Sequence, residues 1–201
     1  VGDVIVLAPV APCGAIVVDD AQRAPDCAPP HLQSGTLGER EFLAALTFDL
    51  TPLPRGAEVL YAGLELTGLD DRFLADQGSW YIRMIKLPAD QAPDTLSFAR
   101  LLAAPNALPN LVWRLRREQL WPGGRNTLQL EGDALPVLAA RLGGGRVSFR
   151  FDGPTQRTNL FRWATQGPDA PRLRLAYVLP GEVAAATEIP LIMWDDGSTP
   201  P

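Results

Sequence analysis

Few side chains in this chain could do covalent chemistry, and their types set limits. There is one histidine, His31. A serine or cysteine nucleophile would have to draw its general base from that position. His31 lies in the proline-flanked stretch APPHLQSG with no nucleophile motif beside it, and it reads as a solvated loop residue. Paired carboxylates can hydrolyse glycosides. Asp19-Asp20, Asp70-Asp71 and Asp195-Asp196 are adjacent acidic pairs, but each reads as a surface turn. Gly143-Gly144-Gly145 has the composition of a phosphate loop. It follows a predicted helix instead of opening one, so it offers no ring of free N–H groups. No catalytic activity, cofactor or metal is expected.

Cys13 and Cys27 are separated by 13 residues. A disulfide at that spacing would close a small loop and contribute about 3 kcal/mol. Two free thiols are the alternative. Zinc is a poor fit, because two cysteines and one histidine cannot supply four ligands without carboxylates. Asp49 ends a strand-like run. It reads as the cap of the turn before Thr51, taking a hydrogen bond from an arginine such as Arg55. A metal ligand or a partner to Lys86 is the functional alternative.

Five tryptophans remain, and aromatic faces stack on the apolar faces of pyranose rings. Trp80 and Trp113 sit in alternating runs and read as core. Trp121 at a turn, Trp163 in a predicted loop and Trp194 in the tail are the candidates for glycan contact. The net charge is −5, and Arg114, Arg116 and Arg117 form the one basic cluster that stands out. Neither nucleic acid nor an anionic membrane is an expected partner.

The elements that would position these residues are mostly strands. Residues 42–50 and 57–66 alternate on either side of the turn TPLPRG, where Pro52, Pro54 and Gly56 stop a sheet. Leu46, Phe48 and Leu50 share one face. Leu60, Ala62, Leu64 and Leu66 form a face opposite Val59, Tyr61, Gly63 and Glu65. Further strands are predicted over 3–10, 16–18, 80–87, 111–115, 126–130, 146–151, 172–178 and 189–194. Residues 28–38 and 152–170 read as loops. A short amphipathic helix is predicted within 95–104. A second, over 134–142, has Asp133 as its cap and the glycine triplet as its end. No apolar run approaches the ~18 residues of a membrane span. A hydrophobic content of 46% is enough for a real core. A first residue of valine reads as a processed form or a fragment.

Three stretches resemble DNRLRE-type domains and related polysaccharide-binding modules. They are LTFDLTPLPRGAEVLYAGLELT, GDALPVLAARLGGGRVSF and PRLRLAYV, and the resemblance covers about 35–178. The family's tryptophan-rich segment is replaced here by 89–110, and the segments before Cys27 and after Pro180 lie outside the match. The resemblance implies an all-β, antiparallel jelly-roll β-sandwich with one or two short helices. It further implies a non-catalytic module, secreted or on a cell surface. In that setting Cys13 and Cys27 are expected to pair.

The division expected is an N-terminal apolar strand and cysteine-containing loop over 1–34, a sandwich core over 35–180 and a C-terminal strand and tail over 181–201, all in one globular domain. The expected role is that of an extracellular structural or adhesive protein, a filament or surface-layer subunit. It would self-associate through a terminal strand. Val4, Ile5, Val6 and Leu7 make both faces of that strand apolar, as a strand inserted into another chain would need; the alternative is that it packs on its own domain as the first strand of the sandwich. The alternative role is a carbohydrate-binding module.

Overall fold

The computed structural model describes residues 2–10, 31–88, 91–107, 112–142, 145–179 and 181. Its strands are β1 (Asp3–Leu7), β2 (His31–Leu37), β3 (Arg40–Phe42), β4 (Ala44–Asp49), β5 (Glu58–Thr67), β6 (Ser79–Ile85), β7 (Val112–Arg116), β8 (Arg125–Leu130), β9 (Arg146–Asp152), β10 (Asn159–Ala164) and β11 (Arg172–Val178). Two short helices, α1 (Phe98–Ala103) and α2 (Ala134–Arg141), complete it. The strands pair antiparallel throughout.

One sheet runs β1-β11-β5-β8 and a second runs β4-β9-β6-β7. With these eight strands renumbered in chain order, the two sheets read 1-8-3-6 and 2-7-4-5. That is the order of a jelly roll. It arises when one long antiparallel ribbon is wound around a core. The ribbon's pairs are β6 with β7, β5 with β8, β4 with β9 and β1 with β11. The third sheet, β10-β2-β3, inserts one more pair, β2 with β10, at a corner between the last two. The chain is therefore an all-β antiparallel sandwich. β1 and β2 pair into its sheets.

The core is aromatic at its centre. Trp80, Phe48, Phe149, Phe151, Phe161 and Trp163 are all fully buried. Trp163 lies edge-on to Phe161 at 4.8 Å and tilted to Phe151 at 5.3 Å. Trp80 donates its indole N–H to the Ser34 carbonyl at 3.1 Å, tying β6 to β2.

Several expectations need correction. Residues 28–38 were predicted as loop, yet HLQSGTL forms β2. Its side chains are mostly polar, so no apolar alternation announces it. NLFRWA forms β10 within the predicted 152–170 loop. Leu60 was placed with Ala62, Leu64 and Leu66. A bulge in β5 changes that, because Tyr61 faces Ala176 and Val59 faces Tyr177, leaving Leu60 as the extra residue. The phase flips there. Val59 is buried and Leu60 is exposed. Asp133 makes no side-chain cap to α2. Gly132, with φ +53°, turns so tightly that Asp133 is already in helical conformation and cannot reach back.

β4 is apolar on both faces, and the reason is α1. Leu46 and Phe48 face the main core. Leu43 and Ala45 face outward, where Phe98 and Leu101 of α1 cover them together with Ile85. Ser97 opens α1 by accepting the Arg100 N–H. The predicted helix within 95–104 is present, and it covers the outer face of a sheet. In the turn between β4 and β5, Asp49 Oδ1 accepts the Thr51 N–H at 2.9 Å as read from the sequence. Among the described residues no arginine reaches it.

Candidate functional site

Two surfaces combine exposure with preorganised side chains. The first is built on Trp121, which is 58% exposed. Buried Leu120 anchors the chain just before it. Past it the backbone is locked to the end of β5. Gly68 donates to the Gly124 carbonyl at 2.9 Å, and Gly123 donates to the Gly68 carbonyl at 3.0 Å. Gly123 has φ +75°, open to glycine and strained for other residues. A Cβ on Gly124 would fall 2.5–2.6 Å from Cγ, Cδ2 and Cε2 of Trp121. The indole therefore lies flat on the bare backbone of Gly124, with much of its surface open to solvent. Exposed Leu69 adjoins Gly68.

The second surface is an open groove of about 1160 Å³. Residues 74–79 form one wall, residues 154–159 another, and Arg114, Arg116 and Glu118 line it from β7 and the 3₁₀ turn that follows. Its walls are pinned from beneath. The buried Asn159 side chain accepts the Ala75 N–H at 3.1 Å and donates to the Gln77 carbonyl at 2.6 Å. Arg117 Nε donates to the Ala75 carbonyl at 3.0 Å. Gly78 has no room for a Cβ, which would meet Asn159 Nδ2 at 2.6 Å and the Trp80 ring at 2.9 Å.

Three arginines line this groove: Arg114, Arg116 and Arg157. Arg114 is held by Ser79 Oγ at 3.1 Å and lies 6.0 Å from the centre of the Tyr81 ring. Arg157 is the one non-glycine residue with positive φ among the described residues, at +61°. Left-handed backbone costs a residue with a side chain about 1–2 kcal/mol. The Thr36 hydroxyl donates to its carbonyl and holds it there. Among the described residues no salt bridge engages any of the three. Several other arginines are paired internally. Arg174 meets the buried Glu65 at 2.8 Å, Arg125 meets it at 3.6 Å, and Arg162 meets Asp70.

His31 begins β2 and is half-buried, instead of standing in a solvated loop. Burial, and then the charge of Arg162, push its pKa below the ordinary value of 6.5; a hydrogen bond to Gln33 and the charge of Asp70 oppose this. Among the described residues no three His, Cys, Asp or Glu side chains converge as a metal site. No helix of the described residues is long and apolar enough to cross a membrane.

The other sequence candidates separate as follows. Trp163 is not a surface contact. In β10 it shares the inner face with Phe161 and is fully buried, which removes it as a glycan contact. Trp80 is core, and Trp113 packs partly buried against Phe149 with its N–H on the Gln129 carbonyl. β1 pairs with β11 of its own chain, from Asp3 opposite Tyr177 to Leu7 opposite Leu173. Leu7 is buried and Ile5 packs on the core, whereas Val4 is 62% and Val6 43% exposed, so the strand is covered on one face only. Cys13, Cys27 and Trp194 lie outside the described residues, as do the predicted strands over 16–18 and 189–194.

Arg114 and Arg116 stand out as a cluster in the sequence, but nothing in the sequence joins them to Arg157 or Asn159. The only local signal was the turn sequence Gly153-Pro154 ahead of Arg157. No family model matches the chain, and no curated protein matches it.

Proposed function

We propose that this chain is a non-catalytic, extracellular carbohydrate-binding module that stacks a polysaccharide on Trp121. The observation that carries the reading is the indole laid flat on Gly124 and open to solvent. A large rigid aromatic held at the surface has its conformational entropy already reduced, and a pyranose face can cover it. The jelly-roll strand order supports the reading, since that architecture is shared by many lectin domains. So does the meeting of the three stretches that resemble DNRLRE-type domains. The β4–turn–β5 stretch pairs β4 with β9 of the second stretch and β5 with β11 of the third.

The test is affinity electrophoresis across a panel of neutral glucans, mannans, xylans and galactans, with wild type against Trp121→Ala. At least one polymer should retard the wild type, and the variant should bind it about tenfold less tightly, a loss of ~1.4 kcal/mol. Retardation that is the same for both proteins would refute the role of Trp121. No retardation by any polymer would count against the module itself.

A second reading is a structural or adhesive subunit of a filament or surface layer. It draws on β1, the end strand of its sheet, with Val4 and Val6 exposed. Such a strand supports edge-to-edge pairing between copies better than insertion of a donated strand. Sedimentation of wild type against a Val4→Lys/Val6→Lys variant distinguishes them. Assembly that persists in the variant would remove this reading.

A further inference from the structure

We infer that the groove between residues 74–79, β7 and residues 154–159 is an anion-selective subsite, which takes the carboxylate or sulfate groups of an acidic polysaccharide. The polymer class rests on the carbohydrate-binding reading; the preference for charge rests on the groove alone.

Three observations carry it. The first is charge. The chain is acidic overall at −5, yet this groove presents Arg114, Arg116 and Arg157 against Asp76 and Glu118. Arg83, Arg125, Arg150, Arg162 and Arg174 are engaged with carboxylates, and Arg117 and Arg172 with carbonyls. These three meet no carboxylate among the described residues. A planar guanidinium with free donors is suited to bidentate contact with carboxylate or sulfate oxygens.

The second is the backbone of Arg157. Glycine would occupy φ +61° without strain, yet an arginine stands there, with its carbonyl fastened by Thr36 at the lining of the groove. Strain held in place by surrounding contacts points to a use for the side chain. The third is shape. At about 1160 Å³ the groove exceeds the ~300–1,000 Å³ of sites that enclose a small molecule. It is open, and its lining includes the polar residues Gln77, Ser79 and Gln156. An extended polar polymer suits it better than a single small anion. Asn159 and Arg117 fix one wall in advance, which lowers the ordering cost of binding.

The experiment measures binding of polygalacturonate, dextran sulfate, unmodified dextran and poly-L-glutamate by wild type, Arg114→Gln and Arg157→Gly. Wild type should bind one or both acidic polysaccharides, more weakly as salt rises. Each variant should lose about tenfold in that affinity. Arg157→Gly should at the same time melt no lower than wild type, an outcome that a merely structural arginine would not give. Binding to one acidic polysaccharide and not the other identifies the acidic group recognised. Failure of wild type to bind either overturns the inference, as does equal binding by wild type and both variants. Poly-L-glutamate bound as tightly as the polysaccharides would overturn the saccharide assignment. Trp121→Ala, run on any neutral glycan that binds, reports on the stacking platform separately, so the two can fail independently.

Discussion

Arg150 grips Asp152 at two points, Nε to Oδ1 at 2.6 Å and Nη2 to Oδ2 at 3.1 Å. The two residues stand on the same face of β9. Asp152 is also reached by Arg83 Nε at 2.6 Å from the neighbouring strand. The remaining nitrogen of Arg150 turns the other way. Nη1 donates to the carbonyls of Leu101 at 2.9 Å, Leu102 at 2.7 Å and Ala104 at 3.3 Å. These carbonyls belong to the end of α1, where the last helix acceptors run out of backbone donors; Leu101 alone of the three also accepts the Ala104 N–H, at 3.2 Å. One buried guanidinium thus fastens the helical cover to the outer face of the sheet.

Replacing Arg150 with methionine should therefore be costly. The change takes the side-chain donor from the Leu102 and Ala104 carbonyls and removes one of the two cations on Asp152. Breaking a buried pair in this way costs about 3–5 kcal/mol. Urea denaturation should show that loss. Hydrogen exchange should show α1 opening before the sandwich unfolds. An Arg150→Met/Asp152→Leu double variant should lose less than the two single variants summed. A single-variant loss below about 1 kcal/mol would show that α1 is held by its apolar face alone.

The strands around this contact were legible in the sequence because apolar alternation marks a half-buried sheet. β5, β6, β9 and β11 all carry it. β2 was not legible, since its burial comes from being sandwiched at a corner of the ribbon and not from apolar side chains; Ser34 and Thr36 are buried there. Leu60 was misplaced because a one-residue bulge is invisible to periodicity. The groove was legible only in fragments. Arg114 and Arg116 stand about 40 residues from Arg157 and Asn159 in sequence, and the pairing of β10 with β2 and of β9 with β6 brings them together. Composition alone cannot report that proximity.

Gly35 should tolerate no side chain. Its φ is +118°, and a Cβ would lie 2.1 Å from the Asn159 carbonyl oxygen. That atom is backbone in the paired strand β10, so nothing flexible can yield. Gly153 crowds the same place, since its Cβ would sit 2.3 Å from the Gly35 N. Gly35→Ala combines strained φ with a backbone clash, and it should destabilise by at least 4 kcal/mol, the range reserved for severe mechanisms. Yield of folded protein and the denaturation midpoint check this. A variant that folds with near-normal stability would mean β2 and β10 are farther apart than described.

His31 gives a pH dependence whose sign is fixed by its surroundings. Burial and the nearby Arg162 favour the neutral imidazole in the folded chain, so the folded pKa lies below 6.5. Between those two values the unfolded chain binds more protons, and stability rises with pH. The contribution is complete above pH 6.5 and is lost as pH falls through the folded value. Carboxylates add their own acid loss, so the measurement is a difference. The melting temperature of wild type minus that of His31→Gln, followed from pH 7.5 to pH 4.5, should decline through this window. A flat difference would show that His31 titrates alike in both states.

Trp121 and Trp163 should respond to truncation in opposite ways. Trp163 is fully buried and touches both Phe151 and Phe161, so its removal opens a cavity at the centre of the core. Trp→Ala at such a site costs about 3–5 kcal/mol. Trp121 is 58% exposed and rests on a glycine turn that its neighbours' backbone hydrogen bonds already hold. Its loss should change stability by no more than about 0.5 kcal/mol, as for surface positions generally. The indole is thus a large apolar group whose removal the fold should scarcely register, and binding is the property left for it to affect. Guanidinium denaturation of both variants decides the matter. If Trp121→Ala proved as destabilising as Trp163→Ala, the indole would be a structural plug over the β8 turn, and the case for a stacking platform would fall with it.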